Sequence, residues 1–280
     1  MSLNSSGPEG DPADGLSLAI YFHGVPGAPL ESARFQRAAL DAGVRLIALD
    51  RRSVDPSLQG EAYFQALAAE VARLSGGAAV HLIGFSLGAF VAIRTAIHVK
   101  APVAGLHLIS AAAPLESGDF LGQMAGRAVF RAARRGAGPL RRMTGVQAGM
   151  ARWAPRLMFA MLFAGAAGAD APLASDPCFR AEIGDVLRGA LADGAAGYVR
   201  DLTAYVQPWQ DRLAEVSADT AIWHGADDTW APAAMAIALR DRITPAPQLT
   251  VMDGLSHYSC LLHAMPQILS KIGRAQEMTR

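Results

Sequence analysis

Ser86 stands in the pentapeptide Gly84-Phe85-Ser86-Leu87-Gly88, between an apolar run (Ala79-Val80-His81-Leu82-Ile83) and a helix-like stretch from Ala89 to His98. A serine hydroxyl is a poor nucleophile until a base takes its proton, and that base works best when an acid fixes its orientation. Both kinds of partner lie downstream, each just beyond an apolar run. The first stretch, His224-Gly225-Ala226-Asp227-Asp228-Thr229-Trp230-Ala231-Pro232, offers neighbouring aspartates. The second, Asp253-Gly254-Leu255-Ser256-His257, ends on a histidine. A G-x-S-x-G turn from strand to helix holds its serine in a strained backbone conformation and lifts the hydroxyl into the open. Its glycines keep Cβ atoms out of the space where strand and helix nearly touch. The pattern also arises by chance, so the order of acid and histidine behind it is what gives it weight.

The elements that must position these residues read as a parallel α/β arrangement. Short aliphatic and β-branched runs alternate with helical patterns. The spacing predicts strands over 16–22, 44–49, 79–83, 103–109, 220–223 and 248–252, and helices over 32–42, 60–74, 87–98, 233–240 and 258–272. Right-handed crossovers between them make a doubly wound, mostly parallel sheet flanked by helices the economical solution. One segment breaks the rhythm. Residues 113–218 show repeated helical periodicity, are rich in Ala, Arg and Met, and contain no strand pattern. A structureless loop of that length is unusual, so an inserted helical subdomain is expected, placed where it can fold over the serine as a lid. The division is then a flexible lead at 1–15, a core of 16–112 and 219–280, and the insertion at 113–218.

Four loops in order give the chain a family likeness. His23-Gly24-Val25-Pro26-Gly27, the pentapeptide 84–88, Gly225-Ala226-Asp227-Asp228 and Gly254-Leu255-Ser256-His257 resemble the H-G-x-P-G, G-x-S-x-G, G-x-x-D and G-x-x-H loops of the α/β-hydrolase superfamily. The resemblance covers roughly residues 16–112 and 219–275, while the insertion matches nothing in it. It implies a Ser86–His257–Asp228 triad, with the G-x-x-D register selecting Asp228 and leaving Asp227 as the alternative. It also implies an oxyanion hole made by the backbone N–H groups of Val25 and Leu87. Members usually begin with a β-hairpin, and only about fifteen polar residues precede the first strand here, so the sheet is expected to lack one or both hairpin strands. The implied activity is a serine hydrolase that cleaves a small to medium apolar carboxylic ester, lactone or thioester through an acyl-enzyme, with no cofactor. The same triad serves C–C bond hydrolysis, amide or peptide cleavage (amidase or aminopeptidase) and cofactor-free perhydrolysis. A non-catalytic ligand-binding or receptor protein of this fold is the alternative of a different class. Epoxide hydrolase and dehalogenase chemistry is disfavoured, because that branch resembles this fold with an aspartate where Ser86 stands.

Composition narrows the partners. With 280 residues, half of them apolar and 18% charged, the chain suits a folded enzyme and not a disordered one. Zero formal net charge leaves no electrostatic footprint for nucleic acid, so a small-molecule substrate is expected. Cys178 and Cys260 are too few for a disulfide framework, and no histidine pairs at metal-ligand spacing, so no metal site is expected. The polar start lacks a signal-peptide pattern, and the longest apolar cluster, residues 157–163, is far short of a membrane span. A cytoplasmic protein is the expectation, with oligomeric state open. His81 and His107 read as core or sheet-edge residues, and His23 as a brace of its loop. Arg127, Arg131, Arg134 and Arg135, followed by Arg141 and Arg142, read first as a solvated helix face. A docking surface for an anionic substrate, partner or membrane is the alternative. Met158, Phe159, Met161, Leu162 and Phe163 fit either an apolar acyl pocket or the core of the insertion. Trp153, Trp209 and Trp230 read the same way, with Trp230 beside the acid loop.

Overall fold

One change of direction along the chain explains where the functional loops meet. The computed structural model describes residues 15–277. Among them, strands β1 (Ser17–Phe22), β2 (Val44–Ala48), β3 (Val80–Phe85), β4 (Val103–Ile109), β5 (Thr220–Gly225) and β6 (Gln248–Met252) form a sheet in the order β2-β1-β3-β4-β5-β6. Every pairing is parallel. The chain first steps outward from β1 to β2, then crosses back over β1 to β3 and continues to β6. That reversal opens a crevice at the carboxyl ends of β1 and β3, the switch point where ligands bind in such sheets.

Right-handed crossovers put the connecting helices made before and after the reversal on opposite faces, and the C-terminal helix, which follows the last strand, returns to the face of the first helix. Helix α1 (Gln36–Asp41) packs against the long C-terminal helix α11 (His257–Glu277), while α2 (Gly60–Ser75) packs against α3 (Leu87–Ala96). Helix α3 is buried on every side from Leu87 to Thr95, as a helix that is apolar all round must be. Strands buried on both faces explain the continuous apolar runs: Ala19 to Phe22 and Leu82 to Phe85 lie in the core. α10 (Ala234–Arg240) fills the crossover from β5 to β6.

Between β4 and β5 no strand is described. The segment folds as α4 (Arg127–Arg134), α5 (Ala137–Trp153), α6 (Pro155–Leu162), α7 (Asp170–Leu173), α8 (Pro177–Ala190) and α9 (Ala196–Tyr205), with short 3-10 turns between them. Local signals set its breaks. Gly136 at φ 116° separates α4 from α5, and Pro155 opens α6 at a position where its missing N–H costs nothing. Asp176 caps α8 by accepting from the Cys178 N–H at 2.8 Å.

The expected core strands and helices are present with local shifts. β3 runs past residue 83 to Phe85 and β5 past 223 to Gly225, because each loop glycine still pairs in the sheet before the chain turns. The predicted helix at 32–42 is a 3-10 stretch, Pro29–Phe35, followed by the short α1. The expected flexible lead lies, apart from Gly15, outside the described residues, and so does the segment where any hairpin strands would precede β1. No helix among the described residues is long and apolar enough to cross a membrane.

Candidate active site

Ser86 sits between β3 and α3 at φ 58°, ψ −128°, a left-handed conformation that a side chain adopts only when its surroundings enforce it. They do so by close approach. A Cβ on Gly84 would collide with the Ala89 backbone, and one on Gly88 would overlap the carbonyl oxygens of Phe22 and His23. The Ser86 N–H donates to Ile109 O at 2.9 Å, and the Ala112 N–H to Ser86 O at 3.2 Å, so β4 and its following loop hold the turn.

His257 is the first residue of α11, and its ring spans the gap to the serine. Nε2 lies 2.9 Å from Ser86 Oγ, and Nδ1 lies 2.8 Å from Asp228 Oδ2. The other carboxylate oxygen of Asp228 accepts from the N–H groups of Trp230 at 2.8 Å and Ala231 at 2.9 Å. Burial alone would raise the Asp228 pKa. The charge and hydrogen bond of His257, with help from His224 and the Ala231 N–H, outweigh it and hold the carboxyl below its ordinary value. Asp227, by contrast, is exposed. An ionised Asp228 fixes the Nδ1–H tautomer and leaves Nε2 as the base facing the serine. The imidazole is boxed by rings: Trp230 stacks on it at 5.5 Å and 12°, Phe85 lies at 4.8 Å, and Tyr258 meets it edge-on at 5.6 Å.

Val25 and Leu87, expected to supply the oxyanion donors, follow the carboxyl ends of β1 and β3, the two neighbouring strands at the switch point. Leu87 opens α3, where the first N–H groups have no acceptor within the helix. The loop carrying Val25 is braced by buried charges that sequence reasoning did not single out. Glu31 accepts through Oε2 from the Gly24 N–H at 2.9 Å and the Tyr21 hydroxyl at 2.8 Å. Burial raises the Glu31 pKa, against the pull of those donors and of Arg51. Arg51 donates to His23 O and Gly24 O, both at 3.0 Å, and to His23 Nδ1 at 2.7 Å. His23 Nδ1 also lies 2.9 Å from Gly24 O, and burial, then the Arg51 charge, pushes the His23 pKa well down.

The insertion takes hold of both sides of this site. Asp201 of α9 lies 3.1 Å from Arg51 Nε, a buried charge contact rather than an aligned hydrogen bond, and accepts from the Tyr63 hydroxyl at 2.8 Å. Asp170 of α7, fully buried, accepts from the Tyr258 N–H at 3.0 Å and the Ser259 N–H at 2.6 Å, so it caps the helix that begins with His257. Phe163 packs against Trp230 at 5.8 Å and Tyr258 at 5.4 Å, joining the insertion to the rings around the imidazole. The only sequence sign of Asp170 is an acidic residue among small apolar ones, and Asp201, directly after Arg200, carries no sign at all. Met158, Phe159 and Phe163 turn inward, whereas Met161 and Trp153 point out to solvent, so neither of these lines a pocket or the core. A cavity of about 270 Å³ opens beside the His23–Gly27 loop, lined mainly by apolar groups such as Val25, Val54 and Tyr198, with Arg51 and Arg200 among its polar neighbours. His81 and His107 stack on one another at 5.5 Å, away from the triad. Among the described residues, no group of three or more His, Cys, Asp and Glu side chains converges as a metal site.

Comparisons with known proteins agree with this fold. A family model described as "Alpha/beta hydrolase family" matches residues 20–271. No curated protein matches the sequence. Solved structures with a similar fold include an esterase from Exiguobacterium antarcticum, 20% identical over 91% of this chain and 91% of that one, with a TM-score of 0.64. A thermophilic esterase from Thermogutta terrifontis, in a malate-bound structure, is 20% identical over 93% and 90%, with a TM-score of 0.65. An enol-lactonase from Burkholderia xenovorans LB400 is 16% identical over 94% and 93%, with a TM-score of 0.64. At such identities the likeness speaks for the fold.

Proposed function

The chain belongs to the alpha/beta hydrolase family, and from that membership we propose that it hydrolyses small to medium, apolar carboxylic esters, lactones or thioesters through an acyl-enzyme on Ser86. The observation that carries this reading is the unbroken line from Ser86 Oγ to His257 Nε2 at 2.9 Å and from His257 Nδ1 to Asp228 Oδ2 at 2.8 Å. Ser86 Oγ attacks the carbonyl carbon as its proton passes to His257 Nε2, and the carbonyl π pair moves onto oxygen. The resulting oxyanion is held by the N–H groups of Val25 and Leu87. Collapse expels the alcohol or thiol, which takes the proton from His257. Water then repeats the sequence on the acyl-enzyme, releasing the acid and restoring Ser86. Asp228 stays ionised throughout and stabilises the imidazolium that forms.

The helical insertion at 113–218 acts in this reading as the cover that shapes the substrate site. The chiefly apolar cavity is lined by Val25 but not by Ser86 or His257, so in this reading it takes the end of the acyl or alcohol portion remote from the reacting carbonyl. With both cysteines free, a reducing, cytoplasmic setting is part of the proposal. A panel of p-nitrophenyl esters of increasing chain length, extended to lactones, thioesters and anilides, tests the reaction class. Turnover of esters that disappears in Ser86→Ala supports it. Saturable binding of the same compounds with no turnover by the wild-type protein would instead make this a ligand-binding member of the fold.

A further inference from the structure

Between Phe120 and Ala169 the chain holds eight arginines, from Arg127 to Arg156, and no aspartate, glutamate or lysine, although the whole protein has zero net charge. None of the eight forms an ion pair among the described residues, in contrast to Arg188 and Arg212 farther along the insertion. Helical spacing sorts this segment into an inner and an outer side. On α5, Leu140, Thr144 and Ala151 are buried. The opposite side carries Arg142, Val146 and Trp153, at positions i, i+4 and i+11 of one helical line turned to solvent. Trp153 is 79% exposed, the most exposed large apolar side chain among the described residues, and the Arg152 guanidinium stands 4.9 Å from its ring centroid. After one linking residue α6 begins, burying Met158 and Phe159 while exposing Arg156, Leu157 and Met161.

We propose that this outer side of α5 and α6, with the arginines of α4 alongside, is a docking surface for an anionic phospholipid bilayer. The chemistry singles out that occupant. A helix that lies in a membrane interface needs cationic side chains level with the headgroups and apolar ones reaching below them, with tryptophan favoured at the boundary. A second copy meeting this side symmetrically would bring arginines against arginines with no acidic residue to relieve them. A nucleic acid would satisfy the arginines and leave Leu157 and Met161 in water. The bilayer uses both sets.

Position gives the docking a consequence, which rests on the hydrolase reading above. Phe159 on the inner side of α6 stacks on Phe163 at 4.4 Å, and Phe163 touches Trp230 and Tyr258, the rings around His257. One helix therefore separates the proposed lipid-facing surface from the aromatic wall of the site. An enzyme docked this way takes apolar esters that partition into the bilayer.

The test uses the full-length protein with vesicles of phosphatidylcholine alone and of phosphatidylcholine mixed with phosphatidylglycerol, read by co-sedimentation and tryptophan emission. Trp209 and Trp223 are buried and Trp230 is half-buried, so quenching by bromine-labelled lipid reports on Trp153. The expected result is binding to the anionic vesicles only, with blue-shifted and quenched emission, reversed by high salt. A combined Arg142→Glu, Arg152→Glu and Arg156→Glu variant is expected to bind about 100-fold more weakly or less. Its hydrolysis of a soluble ester should match the wild type, which also verifies that it folds. Ser86→Ala is expected to bind vesicles as the wild type does, so that loss of catalysis and loss of docking are read separately. No binding to anionic vesicles, equal binding by the Glu variant, or a stable dimer in sedimentation that shields Trp153 from a soluble quencher would overturn the proposal.

Discussion

Asp227 and Asp228 are neighbours in sequence and opposites in circumstance. Asp228 is buried with both oxygens engaged, by His257 and by the Trp230 and Ala231 N–H groups, whereas Asp227 faces solvent. Asp228→Asn is expected to lower kcat by about 10⁴, since an amide favours the wrong imidazole tautomer, and Asp227→Asn to leave it within a few-fold. Steady-state kinetics on one p-nitrophenyl ester separates the pair. Glu31 acts at one remove, by holding the Gly24 N–H and with it the loop that presents Val25. Glu31→Ala should cut kcat by about 10² with KM little changed, approaching the loss of one oxyanion donor. Glu31→Gln keeps an acceptor for Gly24 and should recover most of it. Ser86, Asp228 and His257 were legible because each lies in a short loop whose glycine spacing reflects local backbone geometry. Glu31 and Arg51 were not, because their partners are assembled by packing between β1, the following 3-10 turn and the loop after β2.

Among the elements, α11 matters most, since its first residue is the proposed base. Asp170, contributed by the insertion, supplies the cap, since the Oγ of Ser256 just before the helix makes no hydrogen bond. Removing it leaves buried N–H groups without an acceptor. Asp170→Ala is expected to cost about 1–3 kcal/mol of stability, measured by urea unfolding, and to depress kcat as His257 loses its fixed position. Asp170→Asn, which still accepts one bond, should lose less of both. The strands were readable because a sheet buried on both faces demands unbroken apolar runs, and the order of those runs implied the parallel topology. The insertion was readable only as helical. Its apolar residues recur too evenly to announce which side faces inward, and so the outward turn of Trp153 and Met161 appears only in the folded chain.

At the scale of the whole molecule, buried histidines tie stability to pH. Burial, then the charges of His81 and Lys271, push His107 down to about 3. Burial likewise lowers His23, His81 and His224. A histidine depressed in the folded state takes up its proton more readily when unfolded. Its stability contribution is therefore whole above the unfolded pKa of about 6.5 and is lost as pH falls below that value. Thermal melts should fall progressively from about pH 6.5 downward, and His107→Gln should flatten that slope. The insertion and the core form one unit, joined through Asp201 to the loop after β2 and through Asp170 to the helix of His257. The central claim is that Ser86 is the activated nucleophile at their junction, and peptide mapping by mass spectrometry after treatment with a fluorophosphonate tests it most directly. The expected result is a single adduct on Ser86 that fails to form in His257→Ala. An unmodified Ser86, or an adduct on another residue with hydrolysis intact, would contradict it.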